Sequence, residues 1–231
     1  MMKVNQYISQ AMSISRRETD RYLKAGRVTL NGAVCGMGQI VGPGDIVQID
    51  GKTIENKVNS VYIVLNKPAG ITCTAASHIE GNIIDFVGYE ERIFPVGRLD
   101  KASEGLILMT NDGELSHAIS HGDHGHEKEY LVTLDKAFSD EFISGMAQGV
   151  QIPGAVTNPC VVERVSDDEF RIILTQGLNR QIRRMCRAFG YTVIKLERIR
   201  IMDISLGDLP RGQWRHLTKE EVSGLKNSMG L

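Results

Sequence analysis

The chain has no apolar run near the roughly 18 residues that mark a bilayer span. Its first ten residues, MMKVNQYISQ, lack the apolar core of a secretory leader. No membrane partner is expected, and the expected location is the cytoplasm. Cysteine is scarce: Cys35, Cys73, Cys160 and Cys186 are the only four, and no two form a CxxC pair. That spacing argues against a zinc ribbon and a thioredoxin-type redox pair, and leaves buried free thiols as the plain reading. Neither a dinucleotide-binding glycine fingerprint nor a phosphate-binding loop is present, and internal repeats are absent. No cofactor is therefore expected. Net charge is also small, at −1, which by itself argues against a nucleic-acid binder.

That average conceals an asymmetry. Residues 1–31 hold Lys3, Arg16, Arg17, Arg21, Lys24 and Arg27 against Glu18 and Asp20. Residues 180–200 hold Arg180, Arg183, Arg184, Arg187, Lys195, Arg198 and Arg200 against Glu197. Two local basic surfaces on a neutral chain suit a polyanion bound in a defined pose. Two solvated helix faces would look the same by charge alone. His117, His121, His124 and His126 also cluster, but their stretch is rich in Gly and Asp and reads as a loop. No cysteine or carboxylate spacing supports a metal there, and none is expected.

A length of 231 residues fits one large domain plus a small one. Val4, Tyr7, Ile8 and Met12 fall at helical spacing. Ser15-Arg16-Arg17-Glu18 fits a capping box that opens a second helix, which stops at Gly26. Val28-Thr29-Leu30 reads as a strand into an Asn31-Gly32 turn, and Ile46-Val47-Gln48-Ile49 as another. A compact unit is expected over residues 1–51, with a polar linker at 52–60 and a second domain over 61–231. In the second domain, strands are expected at 61–66, 105–109, 130–134, 170–175 and 192–196. Helices are expected at 112–120, 139–148 and 180–189. The two do not alternate regularly, so the expected class is α+β, with a largely antiparallel mixed sheet and flanking helices.

Three segments of the second domain carry candidate chemistry. Asn66-Lys67-Pro68-Ala69-Gly70 is a tight turn after a strand. Gly97-Arg98-Leu99-Asp100-Lys101-Ala102-Ser103-Glu104-Gly105-Leu106 crosses a polar loop into a buried strand, the usual setting of a reactive group. Asp100 lies between Arg98 and Lys101, whose charges favour an ionised carboxylate. Composition alone leaves a loop salt bridge and a reactive carboxylate equally open. In the third segment, 176–186, Ile182, Met185, Cys186 and Phe189 form one apolar helical stripe. Arg180, Arg183, Arg184 and Arg187 lie off it, Asn179 is a candidate N-cap, and the helix N-terminus reads as an anion site.

The first unit resembles the S4 RNA-binding domain through Ser15-Arg16-Arg17-Glu18, Gly26-Arg27-Val28, Asn31-Gly32 and Gly44-Asp45. The resemblance implies that Arg16, Arg17, Arg21, Lys24 and Arg27 meet RNA phosphates, docking the RNA without choosing the base. The three later segments together resemble the pseudouridine synthase family, in its branch with an N-terminal S4 domain. His126-Glu127-Lys128-Glu129-Tyr130-Leu131-Val132 and Lys195-Leu196-Glu197-Arg198 look most similar to a large-subunit rRNA enzyme of that branch.

This resemblance implies isomerisation of a uridine to pseudouridine in 23S rRNA, with a tRNA anticodon as a second candidate substrate. It implies Asp100 as nucleophile, Arg183 as its ion-pair partner, and Tyr130 as the ring that stacks on a flipped uracil. It places Arg98 in the gap left in the RNA stack, with Leu99, Lys101, Arg180, Gln181 and Ile182 near the RNA. No cofactor is implied, and nothing demands more than a monomer. Two rival readings stand beside it. One is a non-catalytic S4-type RNA-binding factor. The other is a two-carboxylate hydrolase using Asp100 and Glu104, whose carboxylates must flank a substrate at set separations.

Overall fold

The computed structural model describes residues 1–56, 59–76, 78–120 and 125–231. It contains two compact units, Met1–Ser60 with Tyr89–Arg92, and Val61–Gly88 with Ile93–Leu231.

The first unit runs β1 (Met2–Lys3), α1 (Val4–Ala11), α2 (Arg16–Lys24), β2 (Val28–Leu30), β3 (Ala33–Val34), β4 (Ile40–Val41), β5 (Val47–Ile49) and β6 (Lys52–Ile54). Ser15 caps α2 as its spacing predicts, its Oγ accepting from the Glu18 N–H at 3.1 Å. Asn31 and Gly32 both take positive φ, 52° and 84°. That is the requirement of the tight turn joining β2 to β3. Val4 and Ile8 of α1, Leu23 of α2, and Val28, Val47 and Ile49 of the sheet close one small core. Strand order is β3-β2-β5-β6. Lys52–Ile54 therefore sit in the sheet, paired with β5, rather than in a linker. Their polar side chains hid an edge strand, because an edge needs little apolar content. Residues 57–58 of the expected linker lie outside the described residues. Tyr89–Arg92 pack with this unit, and Arg92 donates to the Ile14 carbonyl at 2.8 Å.

The second unit begins with β7 (Tyr62–Lys67), α3 (Ile83–Val87), β8 (Phe94–Pro95), β9 (Glu104–Thr110), α4 (Gly113–Ser120) and β10 (Lys128–Leu134). It continues with α5 (Asp140–Ala147), β11 (Gln151–Ile152), β12 (Ala155–Val156), β13 (Val161–Arg164) and β14 (Glu169–Leu174). It ends with α6 (Gln181–Ala188), β15 (Val193–Ile201), β16 (Ile204–Ser205), β17 (Trp214–His216) and α7 (Lys219–Met229). The main sheet has the order β13-β14-β10-β15-β9-β7-β17. Its pairings are antiparallel except between β15 and β9. This is the α+β architecture the strand and helix pattern predicts.

Every residue of β9 is buried, as expected for a central strand covered on both faces. Phe142 and Met146 of α5 and Ile182, Met185 and Cys186 of α6 share a core with Val132, Leu134, Phe170 and Ile172 of the sheet. Leu115 and Ile119 of α4 and Leu225 of α7 share another with Val64, Leu106 and Leu108. The expected strand at 192–196 is longer than its pattern suggested, running to Ile201. Charged residues obscured its alternation, and two of those charges are neutralised by glutamates distant in sequence.

Candidate active site

The loop ahead of β9 is held from below by the turn that leaves β7. Lys67 is fully buried, and its Nζ donates to the carbonyls of Pro68 (2.8 Å) and Ile71 (3.0 Å). Burial pushes its ammonium below the ordinary lysine range. The turn so shaped presents the Gly70 N–H to the Lys101 carbonyl at 2.7 Å. Leu99, buried on the other side of Asp100, donates its N–H to the Cys73 sulfur at 3.4 Å. The Ser103 N–H closes on the Asp100 carbonyl at 3.0 Å. The backbone on both sides of Asp100 is thus anchored, while its side chain keeps 28% of its surface.

Asp100 opens onto a cavity of about 280 Å³, which Arg98, Lys128, Tyr130, Arg180, Gln181 and Arg198 also line. Tyr130 is half-buried on β10. The family resemblance implies no role for Lys128 or Arg198.

The helix beside the cavity differs from expectation at its start. Arg180, not Asn179, precedes the first turn, with φ 48° and ψ 38° and no side-chain cap. That left-handed conformation is uncommon for a residue with a Cβ. Arg180 is the cation nearest the Asp100 carboxylate, with its Nη1 3.9 Å from Oδ2. Arg183, expected as the ion-pair partner, turns to backbone instead. Its Nη1 donates to the Val193 carbonyl at 2.9 Å, and its Nη2 to the Ala102 carbonyl at 3.2 Å and Ser103 Oγ at 3.4 Å. Burial and the neighbouring Arg180 charge depress its guanidinium, and Asp100 opposes them. Arg183 thus holds the Asp100 loop at Ala102 and Ser103, with no direct bond to the carboxylate.

The remaining site candidates divide by burial. Gln181 spends its amide on the preceding loop, accepting from the Leu178 N–H at 3.0 Å and donating to Gln176 at 3.2 Å. Ile182 belongs to the core. Both, with Leu99, still form part of the cavity wall. Lys101 is exposed and lies off that wall. Arg184 turns away to the Asn179 and Pro153 carbonyls.

Part of the basic stretch 180–200 is neutralised. Lys195 pairs with Glu104 and Glu197, and Arg200 with Glu127 and Glu129. Glu104 also receives Arg211 at 2.9 Å and is itself buried. A carboxylate so committed is a poor second acid–base group, which weakens the hydrolase reading. In the first unit, Arg21 pairs with Glu18, and Arg27 pairs with Asp50 while stacking on Tyr22. Arg16, Arg17 and Lys24 are exposed and make no ion pair among the described residues.

Cys35, Cys73 and Cys186 are buried and Cys160 partly so. Burial pushes the Cys160 thiol up to about 11 and the Cys186 thiol up to about 12, so neither is a thiolate at neutral pH. His126 lies 3.2 Å from the Ala118 carbonyl through its Nε2. His121 and His124 lie outside the described residues. No described helix is long and apolar enough to cross a membrane.

An anchored carboxylate, a facing tyrosine and an arginine-bearing helix around one cavity, on this mixed sheet, define a class. Residues 61–188 match the family model described as RNA pseudouridylate synthase, and the chain belongs to that family of RNA-modifying isomerases. It is 51% identical to the dual-specificity RNA pseudouridine synthase RluF of Escherichia coli K12, over 97% of this chain and 78% of that protein. It is 36% identical to the ribosomal small subunit pseudouridine synthase A of Yersinia pestis, over 97% of this chain and 98% of that protein. A crystal structure of a pseudouridylate synthase superposes with a TM-score of 0.71 at 28% identity, covering 97% of this chain and all of that one. The chain is an enzyme with pseudouridine synthase activity on RNA.

Proposed function

We propose that the chain isomerises one uridine in structured 23S rRNA, with a tRNA anticodon as second substrate, through nucleophilic catalysis by Asp100. It would act as a cytoplasmic monomer. The observation that carries this reading is the convergence of Asp100 and Tyr130 on one cavity whose rim holds Arg98 and Arg180.

The reaction breaks the C1′–N1 bond, turns the uracil and forms a C1′–C5 bond. A proton leaves C5 and one is gained at N1. Atoms balance within the nucleotide, so neither redox partner nor group donor enters. A base in a stacked helix is out of reach, so the uridine must swing out into the cavity. Asp100 then attacks either C1′, expelling uracil, or C6 of the ring. The Tyr130 ring stacks on the uracil, and its hydroxyl is the group for the C5 proton transfer. Arg98 occupies the gap in the RNA stack, and Arg180 meets the backbone beside the extruded nucleotide. Arg183 positions the Asp100 loop.

The first unit is read as an S4-type RNA-binding domain. Arg16, Arg17 and Lys24, which make no ion pair among the described residues, are the phosphate contacts favoured over Arg21 and Arg27, which already hold carboxylates. The test is incubation of the purified protein with 23S rRNA and with tRNA, followed by carbodiimide mapping of pseudouridine. A new pseudouridine at a defined position in 23S rRNA is expected. RNA binding without modification would favour a non-catalytic binder. Loss of sugar–base bonds without pseudouridine would favour a hydrolase.

A further inference from the structure

We propose that Arg198 is a catalytic residue of this site, its guanidinium binding a carbonyl oxygen of the extruded uracil where negative charge develops. The inference rests on reading the cavity as a uridine site. It adds a residue that neither the motif around Asp100 nor the arginine helix supplies.

Register places the residue. Arg198 pairs directly opposite Tyr130 on β10 and beside Gly105 on β9. Opposed residues of an antiparallel pair share a sheet face. Tyr130 and Arg198 thus face the same side, next to the strand that the Asp100 loop enters. Both line the cavity.

Burial then sorts the cations by the ligand they suit. Arg98 and Arg180 are exposed at the rim, where phosphates stay hydrated. Arg198 retains only 3% of its surface, so it meets what goes deepest, which is the base. Lys128 also lines the cavity, but its Nζ is engaged by the His126 carbonyl at 2.9 Å.

Arg198 is also incomplete on its own. Its Nε donates to the Leu106 carbonyl at 2.7 Å, which fixes the plane of the guanidinium. Its Nη2 is closed to solvent and has no hydrogen-bond partner among the described residues. No carboxylate pairs with it there, whereas Lys195 and Arg200 on the same strand both hold glutamates. A buried cation lacking an anion is costly unless a ligand supplies the missing charge.

The reaction supplies it. Cleavage of C1′–N1 leaves the bonding pair on uracil, spread over N1, O2 and O4. Addition of a carboxylate at C6 instead pushes the C5–C6 pair onto O4. On either route an oxygen becomes more negative than in the ground state. A preorganised cation beside that oxygen lowers the barrier without tightening the ground-state complex.

The test is a chemical double-mutant cycle. The probe is a 23S rRNA fragment holding the mapped target as uridine, 2-thiouridine or 4-thiouridine, because sulfur accepts hydrogen bonds poorly. Arg198→Met is expected to slow single-turnover pseudouridine formation at saturating RNA about a hundredfold, with RNA affinity unchanged. Thio substitution at position 2 or 4 is expected to slow the wild-type enzyme about tenfold more than the variant. Arg198→Lys, which keeps the charge, is expected to recover part of the rate, and it reads the same cycle if Arg198→Met does not fold. Equal thio effects on wild type and variant would overturn the proposal. So would a loss confined to RNA affinity, which would make Arg198 a phosphate contact. No product from the wild-type enzyme on the all-oxygen RNA would instead overturn the functional reading, and this inference with it.

Discussion

Gly105 lies so close to Arg198 that a Cβ on the glycine would stand 2.3 Å from the Arg198 carbonyl oxygen. Its φ of +99° is also one that side chains rarely adopt. This is the parallel contact between β9 and β15, and it aligns the strand following Asp100 with the strand carrying Arg198. Gly105→Ala must both strain the backbone and push the two strands apart. Together these are expected to cost about 3 kcal/mol. Urea unfolding checks this, and an unchanged midpoint would show that the strands do not approach so closely.

Lys67 supports Asp100 indirectly, through the turn whose Gly70 N–H holds the Lys101 carbonyl. Lys67→Met keeps the buried volume but leaves the Pro68 and Ile71 carbonyls without their donor. The turnover rate at saturating RNA is expected to fall at least about tenfold, given how steeply rate depends on position, with RNA affinity within about twofold. Wild-type turnover by a folded variant would remove the turn from the account.

Glu221 caps α7 and holds Arg215 through two bonds of 2.8 Å. The bond from Arg215 leads the causes that hold its carboxyl below the ordinary glutamate range. A depressed carboxylate stabilises the fold above its unfolded pKa, near 4.3, and that contribution is lost as pH falls through the lower folded value. Glu221→Gln is therefore expected to lower stability by about 1 kcal/mol at pH 7, with the pair partly screened by solvent. The difference from wild type should shrink below about pH 4. A gap that stays constant down to acid pH would mean that the ion pair is not its source.

Tyr130 is expected to contribute twice, by its ring and by its hydroxyl. Tyr130→Phe should retain RNA binding and slow turnover by about a hundredfold or more, whereas Tyr130→Ala should also weaken capture of the extruded base. Wild-type rates for the phenylalanine variant would take the hydroxyl out of the mechanism.

Much of this was legible in the sequence because local rules and fold agree. The capping of α2 by Ser15, the Asn31-Gly32 turn and the Ile182, Met185 and Cys186 face of α6 all follow from spacing, whereas Phe189 of the expected stripe falls just past the helix and is exposed. Lys52–Ile54 were misjudged because edge strands carry few apolar residues. Arg183 shows a different limit. Its segment identifies an arginine helix, but spacing does not reveal that its guanidinium is held by the Val193 and Ala102 carbonyls, which are remote in sequence or on another element. The basic stretch 180–200 looked more exposed than it is because Glu104 and Glu129, which neutralise part of it, are remote in sequence and meet it only across the sheet. Arg198 was visible as a charge but not as a buried one, since burial there follows from the parallel pairing with β9.

The central claim is that the Asp100 carboxylate performs the chemistry rather than binding the RNA. Asp100→Asn preserves the size of the side chain and removes its charge. Measured side by side, RNA affinity of the variant is expected to remain within a few fold of wild type, while pseudouridine in the mapped 23S rRNA fragment falls below detection in single turnover. Substantial pseudouridine formed by Asp100→Asn would contradict the account.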